Sequence, residues 1–324
     1  MESIKQARKD GSILGWTLVV YYNMLNQIVA LAYIADLLIY GIVTGFKALT
    51  NGENLDIDAF MTIIMDRMMT NFWGYLLAIA VGMLILFAWK GKSYWSEHIW
   101  AKDKSMTAKN FFCALIFLIA IQAPTQIMTP VQEFFLNKIG LSAMAALENA
   151  TITGSSVSMF LYISFVGPFA EEILFRGLIL RSLEKYGKQV AIFVSALLFG
   201  LFHGNIVQIP YAFLVGLLLA YVTVEYSISW AVLLHVFNNF VLGELLTQLT
   251  EQMPAWAGNM LFNVLIWGAA IAAVVIGICR RREIQSYFKD HPIDNTAIAG
   301  IFTSGGIWAF IVMTLATTTM LLFA

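Results

Sequence analysis

The chain has 324 residues, 60% of them hydrophobic and only 12% charged, with a mean hydropathy of +0.76 and a formal net charge of −1. Such a composition excludes a water-soluble globular enzyme and points to an all-α polytopic membrane protein, with no nucleic-acid partner expected. The two cysteines, Cys113 and Cys279, lie far apart in or at the ends of apolar runs, which argues against a disulfide framework or a Cys-rich metal site.

The basic start MESIKQARKDGSILGW lacks a cleavage-site pattern, so the first apolar run is expected to remain as an anchor. Apolar windows of roughly membrane-crossing length predict spans near 13–45, 72–89, 111–128, 156–180, 190–204, 207–225, 228–248, 258–279 and 299–323. That is about nine transmembrane helices, or eight if the short fifth run does not cross. The first run is too long for one straight crossing and contains Asn23, Asn26, Gln27 and Asp36. The breaks ALTNGENLDIDAF and PVQEFFLNKIGLSAMAALENA read as outer loops, either plain connections or loops with short amphipathic pieces. With the N-terminus in the cytoplasm, Lys47, Arg67 and Lys138 are the only ones of the 19 basic residues placed outside, the bias that the positive-inside rule demands.

Three polar clusters interrupt the apolar spans. An ionised side chain at the bilayer centre costs about 2.5–3.5 kcal/mol on insertion scales, so several together imply a protein-lined or watered cavity. In the fourth span Glu172 and Arg176 are four residues apart on one helix face, where they can pair and leave Glu171 free on the neighbouring face. The fifth span places His203 four residues after Phe199, and the seventh places His235 and Asn239 four apart. At 1.5 Å per residue, Glu171 lies roughly 15 Å from Arg181, His203 roughly 22 Å from Lys188 and His235 roughly 13 Å from Tyr226, so all three reach similar depth. If the spans are neighbours, two carboxylates, two imidazoles and an amide share one cavity. A carboxylate beside an imidazole can take a proton from water, and an imidazole with an amide can donate to an oxyanion. The same side chains could instead hold a metal ion, with Glu171, His203 and His235 as candidate ligands, and composition does not choose. Each cluster also has a structural reading: an ion pair within one helix, packing histidines, and asparagines that join helices.

Taken in order, Glu171-Glu172-Ile173-Leu174-Phe175-Arg176, Phe199-Gly200-Leu201-Phe202-His203 and His235-Val236-Phe237-Asn238-Asn239 resemble the E-E-x-x-x-R, F-x-x-x-H and H-x-x-x-N signature of the CAAX protease and bacteriocin-processing (CPBP, or Abi) family of intramembrane proteases. The resemblance covers roughly 156–248 and implies a CAAX-protease-like helical core. It implies Glu171 as general base, helped by His203, with His235 and Asn239 lining the oxyanion site. Glu172 and Arg176 would support the base and Phe199 would pack beside the cavity. The family is classed with metalloproteases, yet its signature is also read as a metal-free glutamate site, so zinc and no metal both stay open.

On this basis the chain divides into N-terminal transmembrane helices and loops (1–150), a catalytic four-helix core (151–250) and C-terminal transmembrane helices (251–324). The expected activity is endoproteolysis of a hydrophobic or prenylated peptide or protein in contact with membrane lipids, as in CAAX processing or bacteriocin maturation and immunity. A multi-pass protein of a bacterial plasma membrane is expected. Competing readings are a non-catalytic scaffold or immunity protein of the same fold, and an ion-coupled transporter with midplane proton relays.

Overall fold

A computed structural model describes residues 2–52, 56–70, 72–150 and 156–323. Within a bilayer the backbone must satisfy its own hydrogen bonds, and among the described residues every regular element is helical. In chain order these are α1 (Glu2–Asn51), α2 (Ile57–Thr70), α3 (Trp73–Ile99), α4 (Ala108–Asn137), α5 (Ala143–Ala150), α6 (Val157–Tyr186), α7 (Lys188–Phe202), α8 (Gln208–Glu225), α9 (Ile228–Glu251), α10 (Ala255–Cys279), α11 (Arg281–Asp290), α12 (Asn295–Phe302) and α13 (Gly305–Phe323). Eight of them, α1, α3, α4, α6, α8, α9, α10 and α13, are long and apolar enough to cross a membrane, and α7 is a shorter apolar helix. The protein is therefore an all-α, multi-pass membrane protein.

Among the described residues, both segments read as outer loops carry helix. Asp56 accepts the Ala59 amide at 3.0 Å at the start of α2. Glu133, on the continuation of α4, accepts the amides of Ala143 and Met144 at 2.7 and 3.0 Å at the start of α5. These carboxylates satisfy N-terminal N–H groups that would otherwise have no partner, an effect that hydropathy windows do not register. The first run is one continuous helix of 50 residues, longer than one straight crossing as its sequence predicts. Its polar residues are absorbed locally: Asn23 and Asn26 donate to Val19 and Tyr22 carbonyls at 2.8 Å, and Asp36 pairs with Arg67 of α2 at 2.6 Å. At 1.5 Å per residue α1 is about 75 Å long, far more than a hydrocarbon core of roughly 30 Å. It runs beside α3 until Val29 and Ala32 meet Gly74, and beyond that level it pairs with α2 through Asp36–Arg67 and the stacked rings of Tyr40 and Phe60.

One end of the bundle collects the charge. Asp10 pairs with Lys185 at 2.6 Å, and Glu225 lies between Lys104 and Lys188 at 2.5 and 2.8 Å. The hydrogen bond that Lys104 donates to the Glu225 carboxylate raises the Lys104 ammonium above its ordinary pKa. The starts of α1 and α7 and the ends of α6 and α8 are thereby fixed at one level, which sets the depth of the residues between them.

Small residues let the helices approach. A Cβ at Gly200 would lie 2.8 Å from the Ile209 carbonyl oxygen, and one at Gly216 would lie 3.1 Å from Ala196, so α7 and α8 touch backbone to backbone. At the α1–α13 crossing a Cβ on Gly306 would lie 2.1 Å from the Ser12 carbonyl oxygen. Gly306→Leu is expected to lower the thermal unfolding midpoint in detergent, by an overpacking cost of about 1–3 kcal/mol or more. Gly305→Leu is the control, because a Cβ there meets nothing within 4 Å. Equal midpoints for the two variants would rule out this crossing.

Candidate active site

Glu171 and Glu172 sit where α6 changes its winding. Pro168 has no amide hydrogen to give the Ser164 carbonyl, and the chain before it passes through a π-helical turn, Tyr162–Val166, in which the Gly167 amide reaches back to the Tyr162 oxygen. A second π-helical stretch, Ile173–Leu180, follows the two glutamates, and a third, Phe237–Leu245, follows His235 on α9. These wider turns set the phase of the polar side chains along their helices.

The two carboxylates have different surroundings. Glu172 and Arg176 are fully buried and form an ion pair at 3.0 Å. The Glu172 oxygen in that pair also meets His235 Nδ1 at 2.8 Å, and Arg176 donates to the Gly216 carbonyl at 3.3 Å. Arg176 also lies over the Phe199 ring, 4.3 Å from its centre. Glu171, in contrast, keeps 25% of its side chain exposed and faces His235 Nε2 at 3.7 Å, within ion-pair range but longer than a hydrogen bond. One carboxylate is thus a buried anchor, and the other is reachable.

His203 closes α7. Gly204, at φ +59°, allows the helix to end there, and Asn205 turns back to cap α8 by accepting the Val207 amide at 2.9 Å. The His203 ring bonds the Phe199 carbonyl through Nδ1 at 2.9 Å and meets the Phe199 ring edge-on at 4.9 Å, while Phe199 meets His235 at 5.7 Å. Phe199 therefore separates and orients the two imidazoles. Asn239 donates to the Ile163 carbonyl at 3.0 Å and accepts from Asn238, whose own oxygen accepts from Tyr211 at 2.7 Å. The second N–H of the Asn239 amide is left over from these bonds.

The structure thus joins Glu171, Glu172, Arg176, Phe199 and His235 in one contact network, with His203 attached through Phe199 and Asn239 one turn along α9 from His235. Among the described residues, no three His, Cys, Asp or Glu side chains gather as a metal site, so the donors Glu171, His203 and His235 do not converge on one point. Beside Glu171 lies a small chamber of about 40 Å³, lined also by Tyr21, Tyr75 and Tyr162. The motifs gave no hint of these tyrosines. They stand in apolar stretches at no distinctive spacing, and helix packing alone brings them together.

Residues 153–241, which hold all seven signature side chains, match the family model for the type II CAAX prenyl endopeptidases, Rce1-like. The matched segment is similar to a CAAX-protease core. Comparison of the whole chain with curated proteins and with solved structures gave no match. Within the matched segment, the anchor network should behave as a unit. Arg176→Met leaves Glu172 charged and buried beside its histidine, with an expected loss of about 3–5 kcal/mol in unfolding free energy. The double variant Glu172→Gln, Arg176→Met should lose less than Arg176→Met alone, because the uncompensated charge is gone. Additive losses in a double-mutant cycle would show that the two side chains do not interact.

Proposed function

We propose that the protein is an intramembrane endopeptidase that hydrolyses a peptide bond of a hydrophobic or lipidated peptide with glutamate-activated water. The observation that carries this reading is the contrast between the two carboxylates: one oxygen of the buried Glu172 is shared by Arg176 and His235, while Glu171 borders a chamber large enough for water. In the proposed reaction the Glu171 carboxylate takes a proton from water as the water oxygen attacks the peptide carbonyl carbon. His203, with Nδ1 held by the Phe199 carbonyl, offers its Nε2 as the assisting base. His235 and the remaining Asn239 N–H line the oxyanion site, where the amide donates, and Glu172 holds the His235 ring in place through Nδ1. The proton then passes to the leaving amine as the carbon–nitrogen bond breaks. Glu171 and Glu172 would thus have separate tasks, and Phe199 would keep the two histidines apart.

The substrate class follows from the route to the chamber. An apolar groove of about 470 Å³ between α1 and α3 is lined by Ile13, Trp16, Val20, Met24, Leu86 and Trp89, and it shares Tyr21 with the chamber. Its size and walls suit a lipid chain or an apolar peptide entering sideways from the membrane. CAAX-type processing and bacteriocin maturation or immunity both supply substrates of that kind. The charged end, with Lys104, Lys185 and Lys188, would face the cytoplasm of a bacterial plasma membrane and place the N-terminus there.

The test compares peptides released from host membranes that carry wild type, Glu171→Ala or His203→Ala at equal expression, read by mass spectrometry with a prenylated CAAX peptide added as probe. Fragments present with wild type should fall by about 10²–10⁴-fold in Glu171→Ala, the span expected for loss of a general base, and also decline in His203→Ala. Identical fragments from all three, with a cellular phenotype still lost in the variants, would contradict proteolysis and favour a non-catalytic scaffold.

A further inference from the structure

The chamber beside Glu171 has a composition that the signature does not explain. Apart from Gly167, its walls are the apolar side chains of Leu25, Ala78, Ile79, Ala170, Leu174 and Phe202, together with Glu171 and the three phenols of Tyr21, Tyr75 and Tyr162. A buried water needs about two to four polar partners and at least about 10–15 Å³, so a chamber of about 40 Å³ has room for water only where polar groups can hold it. Among the described side chains lining the chamber, Glu171 and the phenols are the polar ones.

The tyrosines are held by construction. Tyr21 fits against α3 because residue 82 is glycine, where a Cβ would come within 2.8 Å of the ring. Tyr75 and Tyr162 stand 4.9 Å apart between ring centres, with Phe72 at 5.1 and 5.8 Å from them, and the Phe72 amide donates to Ser158 Oγ at 3.0 Å. No hydrogen bond within the protein engages any of the three hydroxyls among the described residues, although a sheltered phenol ordinarily finds a partner. Tyr21 and Tyr75 come from α1 and α3, outside the matched segment 153–241.

From this geometry we propose that Tyr21, Tyr75 and Tyr162 are positioning residues whose hydroxyls hold water against the Glu171 carboxylate. The water donates one hydrogen to Glu171 and the other to a phenol oxygen, which aims its lone pair at the substrate carbonyl. The helices α1 and α3 thereby complete a site whose titrating groups all lie in the core. The proposal rests on the reading of Glu171 as the base, and its test has one readout that does not depend on cleavage.

That readout is the Glu171 carboxylate stretching band in the infrared, assigned by difference against Glu171→Gln in the full-length protein in lipid vesicles. The band should shift in Tyr21→Phe and Tyr75→Phe and stay in place in Tyr287→Phe, whose buried hydroxyl lies outside the chamber. In parallel, Tyr21→Phe and Tyr75→Phe should lower kcat by roughly 10-fold to 100-fold with KM little changed, the signature of a misplaced reactant rather than weakened binding. Bands that coincide with wild type in both variants, or shifted bands with unchanged kcat, overturn the proposal. A shifted band in a protein whose wild type cleaves no probe supports the water chamber and refutes the protease reading instead.

Discussion

A buried charge without a partner is the most expensive object a membrane protein can carry, and the structure is organised around sharing one. Glu172 lies between Arg176 and His235, and Arg176 in turn reaches the Gly216 carbonyl and the face of Phe199. Three helices besides α6 therefore contribute to neutralising or orienting one ion pair. Breaking any of these contacts leaves charge in a low-dielectric interior, where the penalty exceeds the value of most packing contacts. The network also fixes His235, so the position of one imidazole nitrogen opposite Glu171 is a by-product of charge compensation.

Close helix contact makes this sharing geometrically available. Gly200 and Gly216 bring α7 and α8 together until Phe199 can touch the Arg176 guanidinium and both histidines. The ion pairs at the charged end, Asp10–Lys185 and Lys104–Glu225–Lys188, hold α1, α6, α7 and α8 at a common level. Depth is set at one end of the bundle and rotation at the centre. Together they determine which carboxylate faces the chamber.

Much of this was legible in the residues. The spacing of Glu172 and Arg176 identified the pair, and the odd carboxylate, Glu171, followed from counting one arginine against two glutamates. Local sequence could not show that His235 shares Glu172, because that contact joins residues 63 positions apart. The π-helical turns were equally hidden, since hydrophobic period does not mark them. Hydropathy windows left plain loops and short amphipathic pieces both open in the two outer segments, and the capping by Asp56 and Glu133 that favours helix there lies outside what composition registers. The tyrosines of the chamber lay furthest from view: Tyr21 and Tyr162 belong to helices separated by more than a hundred residues, and only the fold makes them neighbours.

The central claim is that Glu172 anchors His235 through Nδ1 and turns Nε2 toward Glu171. Nitrogen-15 NMR of histidine-labelled protein in lipid vesicles measures this directly, with the His235 signals assigned by their loss in His235→Gln. The account predicts a proton on Nδ1 of His235 in the wild type and a change at that nitrogen in Glu172→Gln, with little change at Nε2. A wild-type Nδ1 that carries no proton, or His235 signals indifferent to Glu172→Gln, would contradict it.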